Sequence, residues 1–279
     1  MDLCGKLKRP LLFIALNLPS AIVGAVARLR IPKLVLLFVL KSFCRIYRVN
    51  MDEAEKDLEG YATFNAFFTR NLKAGAREIE GDIVAPVDGL LKSFGKVSEG
   101  RFAEVKGKEF SLKGLFEGDE KWRLFQDGFY FNFYLAPGDY HHVHSPLSGK
   151  IGGYIYIPGT LFPVNDFWIG LIDGIYFMNE RVITLIESKY GSVAVVKVGA
   201  FNVGSISVKY APLKTNLLAK RRVTSVTLNP PYEIGVGERL ATFNLGSTVV
   251  LLFEDSTIPS SRARFLSSGM KVRYGLRIA

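Results

Sequence analysis

The spacing of apolar positions divides the chain into three stretches with different periods. From Ile83 onward, short runs rich in Val, Ile, Phe and Tyr are separated by Gly, Pro and Asp. FYFNFYLA, GKIGGYIYIP, SVAVVKVGAFNVGSISV and STVVLLF are the clearest of them. β-branched and aromatic runs bounded by turn formers predict strands. No regular alternation of strand and helix patterns accompanies them, which argues against a doubly wound parallel sheet. The body expected over residues 81–279 is a compact β-sandwich or barrel-like domain. Two internal echoes mark its turns. APVDGLL (85–91) resembles SPLSGKI (145–151), and IGVGERLA (234–241) resembles VRYGLRIA (272–279). Each places a turn ahead of a strand, so a pseudo-symmetric body is expected.

Residues 1–50 have another texture. Apolar blocks at 11–27 and 31–40 alternate with Lys and Arg, and Asn17, Pro19 and Ser20 interrupt the first. A spanning helix needs about 20 largely apolar residues. Short apolar helices flanked by cations fit better in the plane of a membrane interface. A true span and ordinary core helices are the alternatives. Residues 51–80 start acidic and then turn amphipathic, which predicts one or two helices as a linker, with Thr63 capping one that carries Phe64, Phe67 and Phe68. The fold class expected is therefore α+β, mainly β, with an N-terminal helical membrane-associating region.

Charge sharpens this picture. The chain has 279 residues and a net charge of +10, which favours acidic partners such as nucleic acid, anionic lipid or an acidic substrate. Its two cysteines, Cys4 and Cys44, have no metal-site spacing and suggest reduced thiols rather than a disulfide framework. All three histidines fall within four positions, His141, His142 and His144. They could serve a metal or the core, but no other Cys or His is placed to complete a zinc set, and an imidazole is also a proton shuttle. Asp88 sits in a Pro-Val-Asp-Gly turn, where an aspartate often bonds its own backbone. In ATFNLGSTVV (241–250), Gly246 and Ser247 interrupt an otherwise apolar strand. A bulge is one explanation. A serine nucleophile aided by histidine and aspartate is another. A membrane-associated serine hydrolase with an Asp88, His144, Ser247 triad is thus one functional reading, although the Gly-X-Ser-X-Gly elbow is absent. A non-enzymatic binder of anionic lipid is a further one.

FNLGST (243–248), YHHVHSP (140–146), APVDG (85–89) and TFNAFFTR (63–70) together resemble the phosphatidylserine decarboxylase family, over nearly the whole chain. The resemblance implies a proenzyme that cleaves itself between Gly246 and Ser247 into large and small chains that stay associated. Ser247 would become a covalent pyruvoyl cofactor, and phosphatidylserine would lose carbon dioxide through a Schiff base to give phosphatidylethanolamine. It implies His144 as the base for processing, Asp88 as its orienting carboxylate, and His141 as the proton donor in decarboxylation. Phe162, Val164 and Asn165 fall where the family tends to have a substrate-pocket loop. No metal and no nucleic acid are expected. The partners implied are phosphatidylserine and anionic membrane lipids at the cytoplasmic face, with a homodimer as a further expectation.

Overall fold

A computed structural model describes residues 17–103, 109–164, 166–171, 174–201, 205–213, 215, 222–244, 247–255 and 263–279. Residues 17–26 form a helix, α1, followed by α2 (Lys33–Tyr47) and the five-residue α3 (Phe64–Phe68). The strands are β1 (Gly89–Lys96), β2 (Arg101–Ala103), β3 (Glu109–Ser111), β4 (Phe129–Leu135), β5 (His142–His144), β6 (Gly149–Ile157) and β7 (Arg181–Ser188). After them come β8 (Gly191–Gly199), β9 (Ile206–Val208), β10 (Thr224–Ile234), β11 (Arg239–Phe243), β12 (Ser247–Phe253) and β13 (Met270–Val272). The protein is mainly β, as its patterning predicts.

Eight strands form one antiparallel sheet in the order β10-β6-β7-β8-β12-β4-β1-β13. The sheet stays open, with β10 and β13 at its edges, and is not closed into a barrel. Both of its faces are buried. One carries Phe131, Phe133, Val193, Val195, Val249 and Leu251 and packs on a three-stranded sheet, β5-β11-β9, through Val143, Ile206 and Phe243. The opposite face carries Val196, Val250 and Leu252 and is covered by Phe110, Leu115, Phe125 and Tyr176. This double burial explains why β12 reads as a near-continuous apolar run rather than an alternating one.

The two sheets share a corner. Strands β8, β12 and β4 are neighbours in the large sheet, and β9, β11 and β5 are neighbours in the same order in the small one. The connections β4 to β5, β8 to β9 and β11 to β12 all cross between the sheets at this corner. Ser247 opens the middle strand there, with Leu135 opposite it on one side and Gly199 on the other.

The sequence echoes have a structural counterpart. Read from either edge, the large sheet pairs β10 with β13, β6 with β1, β7 with β4 and β8 with β12. The Leu91 pairing with Phe133 matches the Ile151 pairing with Ile186, and each is followed by a register shift, at Lys92 and at Gly152. The echoed turns bond reciprocally: Val84 N–H donates to Pro146 O, and His144 N–H donates to Pro86 O, both at 2.8 Å. Ala85 and Ser145 each exchange two backbone bonds with the Gly275 and Gly237 turns.

The α2 helix has two apolar sides. Leu36 and Leu40 are buried beside Tyr61 and Phe67, while Phe43 meets Phe64, Phe67 and Phe68 edge-on. Leu34, Phe38 and Ile46 are exposed by 83%, 73% and 70%. The linker is mostly irregular: one 3₁₀ turn (Leu58–Gly60) precedes α3, which Thr63 caps by accepting from Ala66 N–H. So short a helix is held by buried aromatic contacts rather than by its own propensity. Among the described residues, no helix is long and apolar enough to cross a membrane.

Gly275 has φ +92°, and a Cβ there would lie 2.1 Å from Glu78 O. The left-handed backbone alone costs a non-glycine residue about 1–3 kcal/mol. Gly275→Ala is therefore expected to lower the unfolding free energy measured in urea by at least that amount, and an unchanged value would contradict the turn described.

Candidate active site

Side chains alternate along β12, so Ser247 points to the same face as Val249 and Leu251, toward the three-stranded sheet. Ser247 is 1% exposed. Its Oγ has no hydrogen-bond partner among the described residues, and neither does Nε2 of the fully buried His141. Buried polar atoms are nearly always bonded, so these two orphans, with Thr248 Oγ1 beside Ser247 on β12 in the same state, mark the segments that meet at this corner. His141 is carried by the β4–β5 connection, and its backbone O accepts from Phe243 N–H at 2.9 Å, four residues before Ser247. Gly246, the other half of the expected scissile bond, lies outside the described residues.

The three histidines are held differently. His141 Nδ1–H donates to Asp139 O at 2.8 Å, which leaves Nε2 with its lone pair, and Phe68 packs on the ring at 4.1 Å. His142 is bonded at both nitrogens, to Thr69 O and Thr242 Oγ1, and ties α3 to β11. His144 Nδ1–H donates to Gly237 O at 2.7 Å, and Nε2 accepts from the Tyr140 hydroxyl at 3.3 Å. The Tyr274 ring lies flat on the His144 ring, 3.8 Å between centroids and 4° between planes.

Asp88 does not bond His144. Its Oδ1 accepts from Arg77 Nε at 3.2 Å and from the Tyr274 backbone N–H at 2.9 Å, and Oδ2 pairs with Arg77 Nη2. Arg77 also pairs with Glu53, which meets Arg273 at 3.2 Å. The carboxylate and the imidazole are thus linked through Tyr274, backbone on one side and ring on the other. They open on neighbouring cavities. Asp88 lines one of about 420 Å³ with Arg48, Arg70 and Lys271. His144 lines one of about 410 Å³ with Tyr274, Lys209 and Arg239. Arg77 and Tyr140 belong to both walls.

Phe162 and Val164 belong to the packing on the opposite face of the large sheet from Ser247, and they line neither cavity. Asn179 bonds both Phe162 O and Gly199 O, which ties this segment to the partner of Ser247. Asn165 lies outside the described residues. Among the described residues, no group of three or more His, Cys, Asp or Glu is placed to hold a metal. Arg77, Arg239 and Tyr274 escaped the reading of motifs, and Tyr140 opened the YHHVHSP motif without being given a role. The second echo held a signal for one of them, because VRYG places Tyr274 where IGVG has Val236.

Burial, the largest cause in each case, pushes the pKa values of His141 and His142 down to about 3 and that of His144 down to about 4, from an ordinary 6.5. Between these values and 6.5 the unfolded chain binds protons that the folded chain does not, so stability rises with pH across that window and is lost as pH falls through it. Urea unfolding at pH 7 and pH 5 is expected to show lower stability at pH 5, and His142→Gln to reduce the difference. Equal stability at both values would refute the burial of neutral imidazoles.

A sequence profile of the phosphatidylserine decarboxylase family matches residues 64–279. The phosphatidylserine decarboxylase proenzyme of Anaeromyxobacter sp. (strain K) is 39% identical over 269 residues, covering 93% of this chain and 92% of the relative. That of Myxococcus xanthus (strain DK1622) is 38% identical over 262 residues, with the same coverage of both. That of Ectopseudomonas mendocina (strain ymp) is 39% identical over 268 residues. With a profile match across most of its length and this level of identity over nearly all of it, the chain belongs to the phosphatidylserine decarboxylase family.

Proposed function

We propose that this chain is a self-cleaving proenzyme that breaks between Gly246 and Ser247 and, once processed, decarboxylates phosphatidylserine. The observation that carries this reading is Ser247 itself. It is buried at the corner, its hydroxyl is unpartnered among the described residues, and the strands before and after the corner belong to different sheets. The base assigned to it is His144, which lies opposite Arg239 in the small sheet, spends Nδ1–H on Gly237 O and keeps the lone pair of Nε2, met by the Tyr140 hydroxyl.

His144 takes the Ser247 hydroxyl proton, and the oxygen attacks the Gly246 carbonyl carbon, so an ester replaces the amide. Neighbours in one chain react at high effective concentration. Loss of the Ser247 α-proton then expels the Gly246 carboxylate and leaves a dehydroalanine. Water converts this to the pyruvoyl group and releases ammonia. The residues fit such a group, since position 247 is buried and the orphaned His141 Nε2 lies on an adjoining segment of the corner. A pyruvoyl ketone condenses with an amine and accepts electrons as carbon dioxide leaves. His141 donates the proton that replaces the carboxylate, its Nε2 lone pair first taking one up from the ammonium group of the condensing amine. Asp88 fixes the turn that bears Tyr274 and so supports His144 indirectly.

The lipid substrate is met at the outer side of α2. Leu34, Phe38 and Ile46 each contribute about 1.5–3 kcal/mol when withdrawn from water. Lys33, Lys41 and Arg45 on the same helix suit anionic headgroups. The helix thus lies on the membrane rather than across it.

Intact mass of the purified protein tests the first part. Wild type is expected as two pieces, 1–246 and a blocked 247–279, and Ser247→Ala as one inactive chain of 31.0 kDa. Cleavage at this bond in Ser247→Ala would end the proposal. His144→Ala is expected to slow cleavage by at least about 100-fold, the lower range for loss of an acid–base group. For the membrane, Leu34→Glu with Phe38→Glu is expected to cut sedimentation with phosphatidylglycerol vesicles at least tenfold. Undiminished binding would refute the α2 contact.

A further inference from the structure

The Tyr274 ring has a geometry that calls for a reason. Neutral aromatic pairs favour offset or edge-on arrangements over a face-to-face sandwich. Tyr274 and His144 nevertheless lie face to face, with 3.8 Å between centroids and a 4° tilt. A cation over an aromatic face is attracted to it. The contact therefore favours the imidazolium over the neutral ring, and the imidazolium is the form His144 takes on accepting a proton.

The pseudo-symmetric turn supplies a comparison within the molecule. Val236 N–H donates to Ser148 Oγ at 3.0 Å, just as Tyr274 N–H donates to Asp88 Oδ1 at 2.9 Å. Gly237 and Gly275 follow these residues with φ of +73° and +92°, and an added Cβ on either would crowd Ile79. The backbone device is the same in both turns, so the turn does not require a tyrosine. The position equivalent to His144 is Val84, which has nothing to stack. An aromatic ring occurs only beside the histidine.

We infer that Tyr274 is a positioning residue for self-cleavage, its ring holding the His144 imidazole in place and favouring the charged form that the imidazole takes on when it accepts the Ser247 proton. This rests on the proenzyme reading above. It adds a residue from the 247–279 segment to the machinery, so the piece released by cleavage carries both the reacting serine and the support of its base. Tyr274 touches neither reacting atom, and its effect passes wholly through His144. The hydroxyl is not required, because the ring face makes the contact.

The test follows conversion of newly translated proenzyme into its two pieces over time. Tyr274→Val is the variant of choice, because the equivalent turn already accommodates valine. It is expected to slow conversion by about 10- to 100-fold, the scale of a misplaced reacting group. Tyr274→Phe is expected to convert at close to the wild-type rate, and both variants to unfold in urea near the wild-type midpoint. In a His144→Ala background, Tyr274→Val is expected to cause no additional slowing, since a residue acting through histidine has nothing left to act on. Wild-type conversion by Tyr274→Val, or the same slowing with and without His144, would overturn the inference while leaving the proenzyme reading intact. A wild-type chain that never breaks between 246 and 247 would remove both.

Discussion

Strand β12 is paired on both sides over all seven of its residues, with β4 and with β8, and is buried on both faces. Just before it the chain leaves one sheet for the other, and β11 is likewise paired on both sides, with β5 and β9. The chain between β11 and β12, which holds the bond proposed for cleavage, therefore joins two strands that are each fixed by their own neighbours, and cleavage there would leave the ladders of both in place.

The groups proposed for catalysis are held by backbone rather than by direct contact with one another. Carbonyl groups of Asp139 and Gly237 set the tautomers of His141 and His144. Asp88 spends its charge on Arg77 and on a turn N–H, in place of the carboxylate–imidazole bond that the family resemblance implies. Arg77 is buried beside it, and a guanidinium makes a forked, charge-assisted pair that a neutral imidazole cannot match. Burial keeps the imidazoles neutral, which suits them to accept protons but makes the fold acid-sensitive.

Much of this could be read in the sequence, and the limits have physical causes. The β texture after Ile83 was legible because strands with packed faces demand branched and aromatic residues. The open edges of the large sheet were not, because closure depends on long-range pairing that alternation does not encode. Ser247 stood out as a polar residue in an apolar run, and the histidines stood out by clustering. Arg77 and Tyr274 were hidden because an arginine in a polar stretch and a tyrosine in a β stretch are unremarkable until the chain is folded. In the linker, Phe64, Phe67 and Phe68 have helical spacing, and a helix of five residues capped by Thr63 carries them.

The near-symmetry of the large sheet has a last consequence. Its two ends share a bulge, a glycine turn and a reciprocal pair of proline carbonyl bonds, yet only one end holds Asp88, His144 and Tyr274. At the other end Ser148, Val84 and Val236 stand in their places. The scaffold and the proposed chemistry are therefore separable. One half of the molecule shows what the framework needs for folding alone, and the difference between the halves is a short inventory of the residues proposed for reactivity. A protein built this way carries, beside its candidate site, a second copy of the frame without those residues.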